Sequence, residues 1–294
     1  MKHVLSVQDL SCAGRCSLTV ALPVISAMGC RCTVLPTAVL STHTGFPAPF
    51  VRGLTEDLAS IREHWQRIGA AFDAVSIGYL SDPEQAAAVE AFLDAFPAVT
   101  VLDPAMGDSG RLYSRITPAH VEAMKRLTRR AELVLPNVTE AAALTGLPYR
   151  DTRDPAWFRQ LAEGLLALGA RSAIITGVSL AEGKIGFFGM DPQGQTFSFQ
   201  RTWVPKSFHG TGDLFSATVT GGLMAGLDPE NAARLAAEFV AVCVSGTREV
   251  TPWGVEFESR LPWLWQKLPR MTAAAIIWGE NISFIADIST VSAR

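Results

Sequence analysis

The stretch His209-Gly210-Thr211-Gly212-Asp213-Leu214-Phe215-Ser216-Ala217 sets two closely spaced glycines and an acid at the head of an apolar run that continues through Val219, Leu223 and Met224. Glycines let backbone N–H groups approach an oxyanion closely, and a helix N-terminus adds partial positive charge, so Gly210, Thr211 and Gly212 read as an anion cradle. Asp213 has two readings. It suits the start of a helix as a capping acid. Beside an anion cradle it is also the carboxylate that phosphoryl transfer requires, taking the proton of the acceptor hydroxyl while the amides hold the charge on the transferred group. Two other phosphate motifs are excluded. The nearest look-alike of a P-loop, Gly177 to Gly183-Lys184, has one residue too many between its glycines and ends in Ile185, and Phe215 stands where a dinucleotide fingerprint needs its third glycine.

A second cluster is Asn137-Val138-Thr139-Glu140, an amide and an acid three residues apart. The pair fits a capping box, and it equally fits a Mg²⁺–phosphate site in which Glu140 acts directly or through water. Asp103 and Asp108, in Asp103-Pro104-Ala105-Met106-Gly107-Asp108, complete an acidic environment or serve as ordinary turn residues.

These residues need elements to position them. Short Val- and Ile-rich runs alternate with segments of helical periodicity, the pattern of βαβ units and of an α/β fold with a mainly parallel sheet. Strands are expected at Val4–Val7, Arg31–Leu35, Ala74–Ile77, Val99–Leu102, Leu133–Leu135, Ser172–Thr176, Lys184–Met190 and Gln195–Gln200. Helices are expected at Ser17–Met28, Thr55–Ala70, Pro83–Phe96, Pro118–Arg130, Thr139–Thr145, Pro155–Leu168, Asp213–Ala225 and Pro229–Thr247. Asp191-Pro192-Gln193-Gly194 predicts a hairpin turn between the last two strands. Ligands of open α/β sheets lie beyond the carboxyl ends of the strands. There the chain puts Gln8-Asp9, Gly78-Tyr79, Asp103, Pro136-Asn137 and Gly177, so acids, amides and glycines collect on one edge.

Composition fits an enzyme acting on a small molecule. Of 294 residues, 48% are hydrophobic and 18% charged, with a formal net charge of −3. A pI near 6.0 and the lack of a long Lys/Arg run leave no electrostatic footprint for nucleic acid or an anionic membrane. The N-terminus turns polar too early for a secretory h-region, and five cysteines, an odd number, read as reduced thiols, so the expected location is cytoplasmic. Cys12/Cys16 and Cys30/Cys32 lack the Cys/His partners of a zinc site. Residues 1–270 are expected to form one domain. The segment 271–294, apolar but interrupted by Glu280, Asn281 and Asp287, reads as a C-terminal extension, with a dimer-contact segment as the alternative.

The motifs Asp103–Asp108, Pro136–Glu140 and Gly210–Asp213 occur in the order and approximate spacing of pyridoxal kinases, and the chain resembles that branch of the ribokinase-like superfamily from Val4 to Leu268. The resemblance implies a three-layer α/β/α fold, ATP with Mg²⁺, in many members a monovalent cation such as K⁺, and usually a homodimer. It implies phosphorylation of the 5′-hydroxymethyl group of pyridoxal, pyridoxine or pyridoxamine, in vitamin B6 salvage. Carried over, Asp213 is the base and Gly210, Thr211 and Gly212 form the anion hole. Thr176 and Gly177 lie along the nucleotide, with Asp103 and Asn137 serving its phosphates and Asp103 and Glu140 the metal. Asp9, Thr44 and Tyr79 match substrate positions: Thr44 bonds a ring substituent and Tyr79 stacks on the pyridine. One departure is Asp9, where many pyridoxal kinases have Ser. A carboxylate near the ring nitrogen would favour the protonated ring.

The nearest rival is hydroxymethylpyrimidine kinase, which resembles this chain closely but often has Cys where Asp213 stands. Sugar kinases usually carry N-terminal glycine-rich substrate motifs that this chain lacks. A vitamer-binding regulator without turnover is a third reading, opposed by the intact Asp213. The segment Thr202–Phe208 is the expected mobile part near the anion hole.

Overall fold

Uninterrupted runs of Val, Ile and Ala form the inner strands because both faces of those strands are covered, as parallel sheets require. The computed structural model describes residues 1–268, so the expected extension at 271–294 lies outside the described residues. In chain order the elements are β1 (His3–Ala13), α1 (Leu18–Ala27), β2 (Arg31–Thr42), β3 (Val51–Gly53), α2 (Asp57–Arg67), β4 (Ala74–Ile77), α3 (Gln85–Ala95) and β5 (Val99–Leu102). A small hairpin, β6 (Gly107–Asp108) and β7 (Arg111–Leu112), precedes α4 (Pro118–Thr128), β8 (Leu133–Val134), α5 (Val138–Thr145), α6 (Pro155–Ala167) and β9 (Ser172–Val178). The chain continues with β10 (Lys184–Met190), β11 (Thr196–Thr202), α7 (Thr211–Met224), α8 (Pro229–Gly246) and, after a 3₁₀ turn at Glu258–Arg260, α9 (Leu261–Lys267).

The main sheet has nine strands in the order β11-β10-β9-β8-β5-β4-β1-β2-β3. The inner pairs from β2 through β9 are parallel, and the edge strands β3, β10 and β11 are antiparallel to their neighbours. Helices α2 to α6 pack in succession along one face, while α1, α7, α8 and α9 cover the other. Alternation along a strand divides its side chains between the two cores. Leu5 and Val7 join the core under α2–α6, and Val4 joins the one under α1 and α7. The expected α/β class with a mainly parallel sheet is therefore the observed one. Among the described residues no helix is long and apolar enough to cross a membrane.

The expected hairpin is present, with Asp191 Oδ1 accepting the N–H groups of Gln193 and Gln195 at 2.9 and 2.8 Å. Three expectations need correction. β1 and β2 do not stop at Val7 and Leu35 but run on to Ala13 and Thr42, paired with each other beyond the reach of β4 and, on the far side of β2, with β3. Asp9 thus lies within a strand, at a bulge where the register shifts between Gln8 and Leu10. A bulge bends its strand and re-aims a side chain, which is why polar residues continue an apolar strand here. β3 and α9 were not expected: three residues carry too little periodicity, and Trp263 and Trp265 with Pro262 obscure the helical pattern. Finally, α7 begins at Thr211 rather than Asp213.

The β2–β3 flap is fastened to α3 by the fully buried Gln85. Its Nε2 donates to the Thr37 carbonyl at 2.7 Å and to Thr55 Oγ1 at 3.1 Å, and its Oε1 accepts the Ser81 N–H at 2.9 Å. Replacing Gln85 by Leu leaves the Ser81 N–H without its acceptor in the interior, while the Thr37 carbonyl keeps the Leu54 N–H and Thr55 keeps Asp82. The expected cost is about 2–4 kcal/mol, read as a lower urea midpoint with an unchanged m-value.

Candidate active site

Gly210 precedes α7 with φ +84°, a conformation that suits glycine, and an added Cβ would collide with the Arg15 carbonyl. The turn at Arg15 is thereby pressed against the head of α7. The first N–H groups of that helix, from Thr211 and Gly212, have no intrahelical acceptor. At Gly212 an added Cβ would find open space, with Asp103 Oδ2 the nearest atom at 3.9 Å. The expected cradle and Asp103 therefore face each other across a gap.

Asp213 sits deep in the molecule at the third position of α7, yet keeps partial access to solvent. Burial raises its pKa to about 6; the Ser17 backbone N–H opposes that rise, the Asp9 carboxylate adds to it, and the Cys16 thiol again opposes it. Asp103 is raised further, to about 7, by burial and then by the charge of Asp213, with the Ser216 hydroxyl acting in the other direction. Glu140 is pushed well above the usual carboxylate range by burial and by Asp103. None of these acids forms an ion pair among the described residues.

Glu140 is held entirely by backbone. Its Oε1 accepts the N–H groups of Met106 and Gly107 at 3.0 and 3.4 Å, and its Oε2 accepts that of Asn137 at 2.8 Å. Asn137 Oδ1 accepts the Glu140 N–H at 3.0 Å, which completes the capping box. Asn137 Nδ2 donates to the Gly107 carbonyl at 2.7 Å, tying α5 to the β6–β7 hairpin. The structure thus realises the capping reading of this pair. Asp108 is exposed and turned onto its own loop, accepting the Ser109 N–H at 2.7 Å.

On the nucleotide-side expectation, Asn137 and Thr176 meet in an isolated parallel bridge and Gly177 lies exposed just beyond. On the substrate side, Asp9 is 3% exposed and accepts two hydroxyls, Ser11 on Oδ2 at 2.8 Å and Ser17 on Oδ1. Burial raises its pKa, and the two hydroxyls pull it back. Tyr79 is fixed through its carbonyl, which accepts Thr37 Oγ1–H at 2.9 Å, while its phenol oxygen is buried without a hydrogen-bond partner. Thr44 is exposed at the end of β2. Its neighbour His43 is buried, bonded through Nε2 to the Pro252 carbonyl at 2.7 Å and packed 4.2 Å from the His209 ring.

Sequence reasoning missed Ser11 and Ser17, since serines carry no motif by themselves. It also missed Tyr113, which follows the β6–β7 hairpin and lies near Glu140, Asp108, Asp103 and Asp213. The Asp213–Asp103–Glu140 line has excess negative charge and suits a hard cation. Among the described residues, however, no three acid, His or Cys side chains gather to hold a metal. Carboxylate oxygens are donors of the kind magnesium takes, and magnesium commonly keeps several waters and phosphate oxygens in its shell.

A mainly parallel α/β sheet with helices on both faces, and a glycine-led helix head carrying an acid at its carboxyl edge, is the architecture of the ribokinase-like kinases. The chain belongs to the phosphomethylpyrimidine kinase family, which it matches over residues 21–254. It is 30% identical to a pyridoxine/pyridoxal/pyridoxamine kinase of Bordetella bronchiseptica over 260 residues, covering 84% of this chain and 89% of that one. Among solved structures it resembles pyridoxal kinase from Lactobacillus plantarum, with TM-score 0.84 and 32% identity over 90% of this chain and 97% of the other. It also resembles a protein provisionally described as a phosphomethylpyrimidine kinase from Bacteroides thetaiotaomicron, crystallised with pyridoxal, with TM-score 0.86, 31% identity and coverage of 92% and 97%.

The raised acids make stability depend on pH. Unfolded carboxyls release their protons near 3.8, whereas Asp213 and Asp103 hold theirs to about 6 and 7. Between those values the folded state binds more protons than the unfolded state, so stability falls as pH rises through this window. Asp103→Asn should flatten that decline and raise the melting temperature at about pH 8, measured by thermal denaturation of the ligand-free protein across pH.

Proposed function

We propose that this kinase transfers the γ-phosphoryl group of ATP to the 5′-hydroxymethyl group of pyridoxal, pyridoxine or pyridoxamine. The observation that carries this reading is Asp213, a buried acid of raised proton affinity whose neighbouring N–H groups, from Thr211 and Gly212, are free to receive an anion. In the reaction Asp213 accepts the hydroxymethyl proton as the oxygen bonds to the γ-phosphorus. The bond from that phosphorus to the β-phosphate bridge breaks and ADP leaves, while the helix-head N–H groups of Gly210, Thr211 and Gly212 hold the charge on the moving group.

Asp103 and Glu140, directly or through water, and Asn137 orient the metal–phosphate unit, and Thr176 and Gly177 border the nucleotide. Magnesium supplies charge neutralisation at the phosphates; a monovalent cation such as K⁺ and a homodimeric assembly belong to the same proposal. On the vitamer side Asp9 meets the ring nitrogen, Thr44 a ring substituent and Tyr79 the ring face. Asp9, held by two serine hydroxyls, is suited to a protonated pyridine. A second reading, phosphorylation of hydroxymethylpyrimidine, is favoured by the family match.

The test is incubation with Mg²⁺-ATP and each vitamer or hydroxymethylpyrimidine, with product detected by mass. A phosphorylated B6 vitamer is expected, with Asp213→Asn lowering kcat by about 10²–10⁴-fold. Product from the pyrimidine alone moves the protein to the second reading, and no product from any substrate rejects both. Because the base must be ionised, the wild-type rate is expected to fall as pH drops through about 6.

A further inference from the structure

Ser17 immediately precedes α1, where serine ordinarily turns its hydroxyl back onto the helix's own N–H groups. Here it makes no such bond. The hydroxyl donates instead to Asp9 Oδ1. The residue is 3% exposed. Its backbone, at φ 51° and ψ −125°, occupies a region that residues with a side chain seldom adopt. Such conformations persist only where the surroundings enforce them, and they cluster at functional sites.

The surroundings here are specific. The Cys16 N–H donates to Thr19 Oγ1 at 3.1 Å, and that hydroxyl donates in turn to the Gly14 and Cys16 carbonyls at 3.1 and 2.7 Å. The Arg15 N–H donates to the Trp253 carbonyl at 3.0 Å, and the Arg15 carbonyl abuts Gly210. The turn before α1 is thus clamped from both sides, against the head of α7 at Gly210 and the chain at Trp253, with the Ser17 hydroxyl on Asp9 at the β1 bulge.

We infer that Ser17 is a positioning residue for phosphoryl transfer: its hydroxyl fixes the Asp9 carboxylate, and the seating of its turn against Gly210 sets that acid, which receives the substrate ring, relative to the head of α7, which carries the base. The inference rests on the vitamer-kinase reading above and assigns to that site a residue outside its phosphate and base motifs. The hydroxyl acts through Asp9 and does not touch the substrate.

A double-mutant cycle separates this role from a general contribution to folding. Ser17→Gly removes the hydroxyl, keeps the N–H and suits the backbone conformation, so the fold is retained. Ser17→Ala removes the same hydroxyl while keeping the strain. Both are expected to lower kcat/KM for the vitamer by about ten- to a hundredfold, with KM for ATP unchanged. Since the hydroxyl acts through Asp9, the same substitutions made in an Asp9→Asn background should cost less than about twofold. Equal losses in both backgrounds, or wild-type kinetics in Ser17→Gly, overturn the inference while leaving the kinase reading intact. A wild-type protein that phosphorylates no vitamer overturns that reading and the inference with it.

Discussion

The organising constraint of this molecule is a line of carboxylates, Asp9, Asp213, Asp103 and Glu140, drawn into the interior without a cationic side chain to pair with any of them among the described residues. Burying charge in this way is costly unless hydrogen bonds or a bound ion compensate it. The fold supplies the first kind of compensation: three backbone N–H groups for Glu140, two hydroxyls for Asp9, and a backbone N–H for Asp213. What remains uncompensated appears as the raised proton affinity of Asp103, Asp213 and Glu140.

Much of the architecture serves to bring those acids together. Asp103 follows β5, Asn137 follows β8 and Thr176 closes β9, so three adjacent parallel strands deliver their polar ends to one edge. Helix α7 lies across that edge, and a side chain at Gly212 would come within 3.9 Å of Asp103 Oδ2. The substrate side is built differently. There β1 and β2 leave the sheet as a paired extension, and the bulge at Asp9 turns a strand residue towards the head of α7.

The family relationship and the geometry agree on a kinase and divide the same way on its substrate. Relatives bearing pyridoxal and pyrimidine names share the scaffold because both alcohols sit on small flat heteroaromatic rings and present the same hydroxymethyl group to the base. If Asp9 meets the ring as proposed, the acid clasped by Ser11 and Ser17 is the group through which this chain would discriminate between them.

The sequence alone determined the α/β class, the order of the βαβ units, the β10–β11 hairpin and the anion-cradle motif, because each depends on local periodicity or on a glycine at a fixed offset. The Asn137–Glu140 capping box was legible for the same reason: it is complete within one helical turn. The length of β1, the bulge at Asp9 and the strand β3 were not legible, since pairing between β1 and β2 rather than hydropathy keeps those residues extended. Nor could any local pattern reveal that Ser17 faces Asp213, 196 positions away, or that Tyr113 lies near Glu140. Those proximities follow from packing three layers into one body, and they, rather than the motifs, decide how readily each acid holds its proton.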